Sequence, residues 1–380
     1  MKNYIAGKTV KKNKGDVGEY QSYIPTKINR NYTISNNHIL VLVEKVGEVL
    51  GKLSAYSTLI PDIDFFIKMH VKREARASNI IEGTHTELED LFMTEEEISP
   101  EKRDDWHEVN NYVNSMNYAI DKLENELPLS IRLLNDTHKI LLSGVRGESK
   151  QPGEIRKMQN WLGSRYLDDA SFIPPAPEYL DELLGDLEKF WHDKKIEIPN
   201  IIKAAITHYQ FETIHPYNDG NGRIGRLLIT LQLLDQKLLS KPVLYISDYF
   251  ERNRNRYFES FENVRKNDDI ESWIIFFLTA IYQSALDSVS TLENIVKLRS
   301  DYERRVLKIG QRSENANKLL NYMYSKPVVS NVEVSEILGI SYNSAKDLVI
   351  ELERMHILEE ITNYARNKKF VLREYFELFM

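Results

Sequence analysis

The sequence predicts a mainly α-helical protein that ends in a small α+β unit, and three observations carry that reading. Helical periodicity of apolar residues dominates everything from residue 38 to residue 305, with no internal repeat of useful length. Within that run, one segment, HPYNDGNGRIGR at residues 215–226, packs three glycines, an imidazole, a carboxylate, two carboxamides and two guanidiniums between two apolar stretches. After residue 306 the pattern changes to short helices, a Gly339-Ile340-Ser341 turn and two strand-like runs.

At 380 residues the chain exceeds one ordinary core and implies two or three domains. Hydrophobic residues at 42% and charged residues at 28% are soluble globular composition. A net charge of −7 gives no overall field towards nucleic acid or anionic lipid. The absence of cysteine excludes disulfides, thiolate catalysis and cysteine-ligated metal centres. The lysine-bearing start has no apolar stretch behind it, and no segment approaches a membrane-spanning length, so the expectation is a cytoplasmic protein without a membrane anchor.

The elements follow in order. Residues 1–36, polar and rich in Asn, Lys and Gly, read as an extended arm. Leu42, Val46, Val49 and Leu53 mark a first amphipathic helix over 38–53, and Phe65, Phe66, Met69 and Ala77 a second over 61–77. A break at 79–84 carries IIEG; Thr86, Leu88 and Leu91 restart helix, and Pro100 stops it. Helices then cover 104–123 and 130–142. Pro152, Gly153, Pro174, Pro175 and Pro177 punctuate the next section, leaving 161–173 as a loop or short hairpin. Helices follow over 179–192, 200–213 and 226–238, and one or two long helices over 270–305.

The tail reads as helix 315–324, helix 332–338, a turn, helix 342–355, then strands 357–362 and 369–373 joined by NYARN. That is a winged-helix pattern. From Ser313 onward it holds 8 Lys and Arg against 10 Asp and Glu, a weak electrostatic footprint for DNA. The helix that would enter a groove has only Lys346 and Arg354 against Asp347, Glu351 and Glu353. The domain expectation is an N-terminal arm and helical region over 1–110, a catalytic core over 111–305 and the winged helix over 306–380.

The glycine-rich segment suits a polyphosphate and its metal. Gly220, Gly222 and Gly225 remove side chains where a ligand or helix could approach the backbone. A helix beginning near Asn221 would aim unpaired amides at an anion. Arg223 and Arg226, three apart, lie on one helical face and offer forked donors to phosphate. Asp219, the segment's one carboxylate, fits a divalent cation such as Mg2+ beside phosphates. His215 can act as a base towards an incoming hydroxyl. No P-loop, kinase glycine loop or HExxH occurs, and His208 reads as a satisfied core histidine.

HPYNDGNGRIGR resembles the signature of the Fic (filamentation induced by cAMP) family, with Tyr217 where phenylalanine is usual. Ser78-Asn79-Ile80-Ile81-Glu82-Gly83 resembles that family's inhibitory helix motif. PGEIR at 152–156, NWLG at 160–163 and IPP at 173–175 resemble the region that forms its target-docking flap. The resemblance covers roughly residues 35–250, and it implies a helical core with a short β-hairpin flap.

The resemblance also implies roles. His215 would be the general base; Asp219 would hold Mg2+; the backbone of Gly220 and Gly222 with the Asn221 side chain would form the anion hole. Arg223 would contact the phosphate chain and Arg226 the γ-phosphate, with Glu82, supported by Ser78 and Gly83, competing for Arg226. Tyr249, Asn253 and Tyr257 would contact adenine and ribose. The implied activity is a protein adenylyltransferase that moves AMP from ATP to a Ser, Thr or Tyr hydroxyl on an extended segment of a target protein. Two alternatives stand beside it: removal of AMP by the same site, or a winged-helix DNA-binding regulator with a nucleotide-sensing core. Helical faces in the N-terminal half leave room for a homodimer.

Overall fold

The computed structural model describes residues 1, 4–13, 19–59, 63–87, 89–92, 95–362 and 368–379. Two compact units divide the chain: Met1–Gly51 with Val71–Ala285, and Lys52–His70 with Leu286–Met380. In chain order the elements are β1 (Gly7–Lys12), β2 (Tyr20–Pro25), α1 (Asn37–Leu59), α2 (Ile63–Ile81), α3 (Arg103–Asn125), α4 (Ile131–Leu141), α5 (Leu180–His192), α6 (Asn200–Ile214) and α7 (Asn221–Asp235). They continue as α8 (Ser247–Arg252), α9 (Arg254–Asn267), α10 (Ile270–Val306), α11 (Ser313–Met323), β3 (Val328–Ser330), α12 (Asn331–Leu338), α13 (Tyr342–Arg354), β4 (Glu359–Glu360), β5 (Lys369–Val371) and α14 (Arg373–Glu377).

The first unit is built around α6 and α7. All of α6 is buried except Asn200 and Glu212, and all of α7 except Gly222 and its last two residues. A helix apolar on every side belongs at the centre of a larger protein, and two such helices in sequence place the loop between them deep in the core. Other helices bury a single face, as α5 does with Leu183, Leu187 and Phe190. Ser130 caps α4 by accepting from the Leu133 amide, so that helix starts where its serine dictates.

Where the sequence suggested an extended arm, β1 and β2 pair as an antiparallel hairpin, in register from Gly7–Pro25 to Lys12–Tyr20. The strand GKTVKK has no buried residue, so it carries no alternating apolar signal. The hairpin grips both stems of the loop at 161–173. Tyr23 donates its amide to Ile173 O at 2.9 Å, Ser22 donates to Pro174 O at 2.9 Å, and Tyr20 donates to Gln159 at 3.2 Å. That loop, the flap, is closed by a single antiparallel bridge between Leu162 and Phe172.

Other boundaries also moved. Helix α2 runs on through Ile81, so the break comes at Glu82 rather than Asn79. No α-helix restarts at Thr86; short 3-10 turns at Glu89–Phe92, Glu95–Glu97 and Pro100–Lys102 follow, and Pro100 opens the turn that leads into α3. The helix expected from Arg226 already begins at Asn221. Helices α8 and α9 occupy the aromatic and Asn/Arg stretch after residue 246. Pro61, Leu88 and the NYARN segment lie outside the described residues. Helix α10 is one helix of 37 residues, long and apolar enough to pass the length and composition test for a membrane span. Its first turns bury Trp273, Phe276, Phe277 and Ile281 against protein, as a core helix does.

The second unit contains α11, α12 and α13 with a small antiparallel sheet in the order β3-β5-β4. Ser330 and Glu333 form a reciprocal capping box at the start of α12, and Gly339 ends it in the left-handed region. Strand β3 is not expected from the sequence, and the strand expected over 357–362 is reduced to Glu359–Glu360. Phe65, Phe379 and Tyr375 pack at this unit's centre, the first two edge to face at 5.7 Å.

Candidate active site

The loop between α6 and α7 begins at His215, which takes a left-handed conformation (φ 52, ψ 61) as the C-cap of α6. That is uncommon for a residue with a side chain and needs support from its surroundings. Arg156 supplies it. This buried guanidinium donates from Nε to the His215 carbonyl at 2.9 Å and from Nη2 to Ile214 O at 3.4 Å, offsetting the negative end of α6. It also donates to Met158 O at 3.1 Å and Pro175 O at 2.5 Å, the two stems of the flap. One side chain therefore holds the base-bearing loop to the flap.

His215 Nδ1 lies 3.3 Å from the carbonyl of Glu212. Only an N–H can donate to a carbonyl, so this contact protonates Nδ1 and leaves Nε2 as the acceptor. Burial, then the charge of Arg156, pushes the His215 pKa down to about 4, so the imidazole is neutral at ordinary pH. A neutral imidazole with a free Nε2 is what a general base requires.

Tyr217 to Asn221 are tied down from several sides. Asn221 accepts from the Tyr217 amide and donates to the Tyr217 carbonyl, both at 2.8 Å. Its carboxamide is thus committed to the loop, where the family resemblance implied a contact to phosphate. The Tyr217 hydroxyl finds its partner in Asn135 at 2.8 Å. His138, which the sequence reading passed over, stacks on the Tyr217 ring with centroids 3.9 Å apart. The Gly153 amide donates to His138 Nδ1 at 2.8 Å, so Nε2 carries the proton and donates to Asp219 O at 2.9 Å. Burial holds the His138 pKa at about 4. A lone histidine inside a helix, with no site motif nearer than Pro152, gives no sequence signal for this role.

Gly220, in the left-handed region, is the N-cap of α7, so the first amides of a 15-residue helix open next to His215. Asp219 takes the Gly220 amide at 2.6 Å and Arg223 at 3.4 Å while its carboxylate stays 37% exposed. Among the described residues no group of three His, Asp or Glu could enclose a metal. A single open carboxylate fits a hard cation such as Mg2+ that brings phosphate and water ligands with it.

Both arginines are buried and engaged. Arg223 pairs with Glu108 at 3.3 Å and reaches Asn79 at 3.5 Å. Arg226 donates to the Ser78 hydroxyl at 2.8 Å, to Ser78 O at 2.9 Å and to Glu82 at 2.7 Å. Burial would raise the Glu82 carboxyl, but Arg226 outweighs it and holds the pKa below the usual range. Arg226 in turn stays charged, because Glu82 overcomes its desolvation.

The end of α2 explains how Glu82 arrives there. The amides of Thr84 and Gly83 donate to Asn79 O and Ile80 O, each at 3.0 Å, and Gly83 has φ 93. This is a Schellman stop, with Glu82 as the capping residue and Gly83 supplying the left-handed step. The Glu82 carboxylate then rests on Gly222, where any Cβ would collide with it. Gly225 provides the matching notch for Glu212, whose Oε1 has no partner among the described residues. Burial, reinforced by the charge of Glu82, raises Glu212 to about 7.

A cavity of about 620 Å3 joins these groups. His215, Glu82, Glu212, Gly222 and Arg226 line its inner wall, and Leu162, Gly163, Ser171 and Phe172 of the flap form one side. Across from them α9 contributes Arg254, Asn255, Tyr257 and Phe258. Tyr249 and Asn253 are absent from that lining; Tyr249 packs on Phe276, and the Asn253 carboxamide donates to Tyr249 O at 2.9 Å. Tyr257 is buried among aromatic rings and meets His208 Nε2 at 2.7 Å, while His208 Nδ1 meets Gly225 O at 2.9 Å. His208 is thus the satisfied core histidine its position suggested.

Comparison with known proteins agrees with this geometry. Residues 40–121 match the Fic/DOC family N-terminal region, and residues 128–233 match the Fic/DOC family. Protein adenylyltransferase fic-1 of Caenorhabditis briggsae is 34% identical over 107 residues, 28% of this chain and 19% of that protein. Protein adenylyltransferase Fic of Drosophila erecta is 24% identical over 274 residues, 70% of this chain and 51% of that protein. The chain thus spans about half or less of the length of these relatives. A Fic family protein from Desulfovibrio desulfuricans G20 has the same fold, with a TM-score of 0.58 at 20% identity, covering 90% of this chain and 97% of that one. A Fic domain containing signaling protein from Bacteroides thetaiotaomicron VPI-5482 is similar to 66% of this chain and 97% of its own, with a TM-score of 0.55 at 18% identity. Both matched regions contribute side chains to one site, Glu82 from the Fic/DOC N-terminal match and His215 and Arg226 from the Fic/DOC match, and over these two regions the chain is similar to Fic/DOC family proteins.

Proposed function

We propose that this protein transfers AMP from ATP to a hydroxyl-bearing side chain of a target protein, and that Glu82 restrains the reaction. The observation that carries the reading is the placement of a neutral His215, Nε2 free, immediately before the amides that open α7. In the transfer the target oxygen bonds to the α-phosphorus, the bond to the β-phosphate oxygen breaks, and pyrophosphate leaves. His215 Nε2 takes the hydroxyl proton. The amides of Gly222 and its neighbours and Arg223 receive charge from the phosphates, and Arg226 takes the γ-phosphate once Glu82 withdraws. Mg2+, held through Asp219, would neutralise phosphate charge. The relatives that are named protein adenylyltransferases support this activity.

The remaining assignments belong to the same proposal. Residues 1–110 form the inhibitory region, 111–305 the catalytic core, and 306–380 a winged helix; from Ser313 onward its 8 Lys and Arg against 10 Asp and Glu favour protein contact over DNA. The target docks as an extended segment on the flap. The protein works in the cytoplasm, alone or as a homodimer. Incubation with labelled ATP, Mg2+ and host lysate tests the activity. Label transfer should rise in Glu82→Gly and fall on the order of 10²–10⁴-fold in Glu82→Gly/His215→Ala. Equal transfer by those two variants would refute the assignment of the base.

A further inference from the structure

Arg265, near the end of α9, is half-buried, with its guanidinium 4.1 Å from the centre of the Phe172 ring in the flap. Among the described residues it makes no hydrogen bond and no ion pair, and the adjacent Glu262 is taken by Lys266. A guanidinium carries five N–H donors, and leaving them unmatched while partly desolvated is costly. Burial lowers its pKa, as expected for a charge short of partners. Such a group is explained most simply by an anion that arrives from outside.

Its surroundings say where that anion comes from. The cavity that holds His215 shares Ser171, Phe172, Glu262 and Arg265 with an adjoining one of about 690 Å3, bounded by Tyr20 and Tyr23 of the N-terminal hairpin. Arg265 and Phe172 stand where the two meet. Nucleotide charge already has Arg223, Arg226 and the α7 amides, whereas Arg265 faces the flap. The other acids of the second cavity leave it available: Glu19 pairs with Lys11 at 2.7 Å, and Asp168 is exposed at the loop tip.

We propose that Arg265 selects target segments that carry an aspartate or glutamate within a few residues of the accepting hydroxyl. This rests on the reading of the site as an AMP-transfer centre. A segment laid along the flap with its hydroxyl at His215 advances about 3.3 Å per residue, so its neighbours pass Ser171 and Phe172 towards Arg265. The guanidinium, 4.1 Å from the centre of the Phe172 ring, can offer a carboxylate two N–H donors, the basis of a bidentate pair.

The test uses peptide libraries with one fixed Ser, Thr or Tyr and randomised flanks, treated with ATP and Mg2+ and sequenced by mass spectrometry. The Glu82→Gly protein should enrich acidic residues about tenfold at one flanking position, matching one charge-assisted contact. Glu82→Gly/Arg265→Gln should lose that enrichment, and Glu82→Gly/Arg265→Glu should favour Lys or Arg there, both with the KM for ATP unchanged. The same acidic preference in all three proteins, no acidic preference in any, or a raised KM for ATP with unchanged peptide choice would each overturn the proposal. If Glu82→Gly labels no peptide and no protein, itself included, the AMP-transfer reading fails instead.

Discussion

The Glu82 carboxylate accepts from Arg226 at 2.7 Å while filling the space that a side chain at Gly222 would need. One acid thus occupies both the guanidinium and the glycine notch at the start of α7. In the proposed reaction a triphosphate and this carboxylate, both anionic, would compete for the same donors.

Loss of that acid should show as a change in ligand-dependent stability. Glu82→Gly leaves Arg226, 1% exposed, without its carboxylate partner. Because the Glu82 side chain is 36% exposed, the pair is discounted for solvent, and the expected loss is about 1–2 kcal/mol. Differential scanning fluorimetry should find a lower Tm for Glu82→Gly without nucleotide and a larger rise on adding ATP and Mg2+ than in the wild type. An equal ATP-induced rise in both would separate Glu82 from nucleotide binding.

The rate profile should report His215. Its folded pKa lies below the ordinary value, at about 4, so the neutral base persists until the pH falls to that region. Removing Glu82, whose charge favours the protonated imidazole, lowers it further. In Glu82→Gly/Glu212→Gln, log(kcat/KM) for transfer should stay flat from pH 8 down to about 5. An inflection between pH 6 and 7 would mean that the base is less desolvated than the structure has it.

Arg156→Lys keeps the charge and loses the fork. A lysine ammonium cannot reach His215, Met158 and Pro175 together, so the left-handed His215 and the flap stems lose their common anchor. In the Glu82→Gly background kcat should fall on the order of 10²-fold, since small misplacements of a catalytic group cost that much. ATP affinity, measured calorimetrically, should hold within a few-fold. A parallel collapse of both would make Arg156 a general fold determinant.

Glu212 makes stability depend on pH. Its folded pKa, about 7, exceeds the ordinary 4.5, so the folded state holds a proton that the unfolded state releases. That contribution is complete below about pH 4.5 and is lost as the pH rises through about 7. A shift of this size corresponds to about 3 kcal/mol. Glu212→Gln should therefore be more stable than wild type at pH 8 and indistinguishable from it at pH 4.5 in urea unfolding. Identical pH dependence in both proteins would refute the raised pKa.

Much of this site was legible in the sequence because its chemistry is local. His215, Asp219, the glycines and both arginines fall within twelve residues, and one turn of helix fixes their mutual placement. Glu82 was legible only through the family's motif, since nothing in residues 78–83 names Arg226, 144 positions away. Arg156, His138 and Glu212 act through long-range or backbone contacts, which leave no periodicity or spacing to read. The resemblance implies an anion-hole role for the Asn221 side chain; the hydrogen bonds of its carboxamide to the Tyr217 backbone are loop contacts that no motif spells out. The N-terminal hairpin escaped because β1 buries no residue, and its function is to brace the flap.

The Glu82 carboxylate, proposed above as the restraint, sits on the capping residue of a helix, and helix ends are where backbone hydrogen bonds are cheapest to break. The stop is held by the amides of Glu82, Gly83 and Thr84 bonding back to the last turn of α2, by Thr84 donating its hydroxyl to Glu108 at 2.9 Å, and by the Glu82–Arg226 pair itself. Restraint of this kind works as a rheostat. Its setting would be the local opening equilibrium of one turn, against the bonds that tie Ser78 and Glu82 to Arg226. Basal output then scales with the open fraction, and a partner that gripped either side of Gly83 could tune the enzyme without touching its nucleotide.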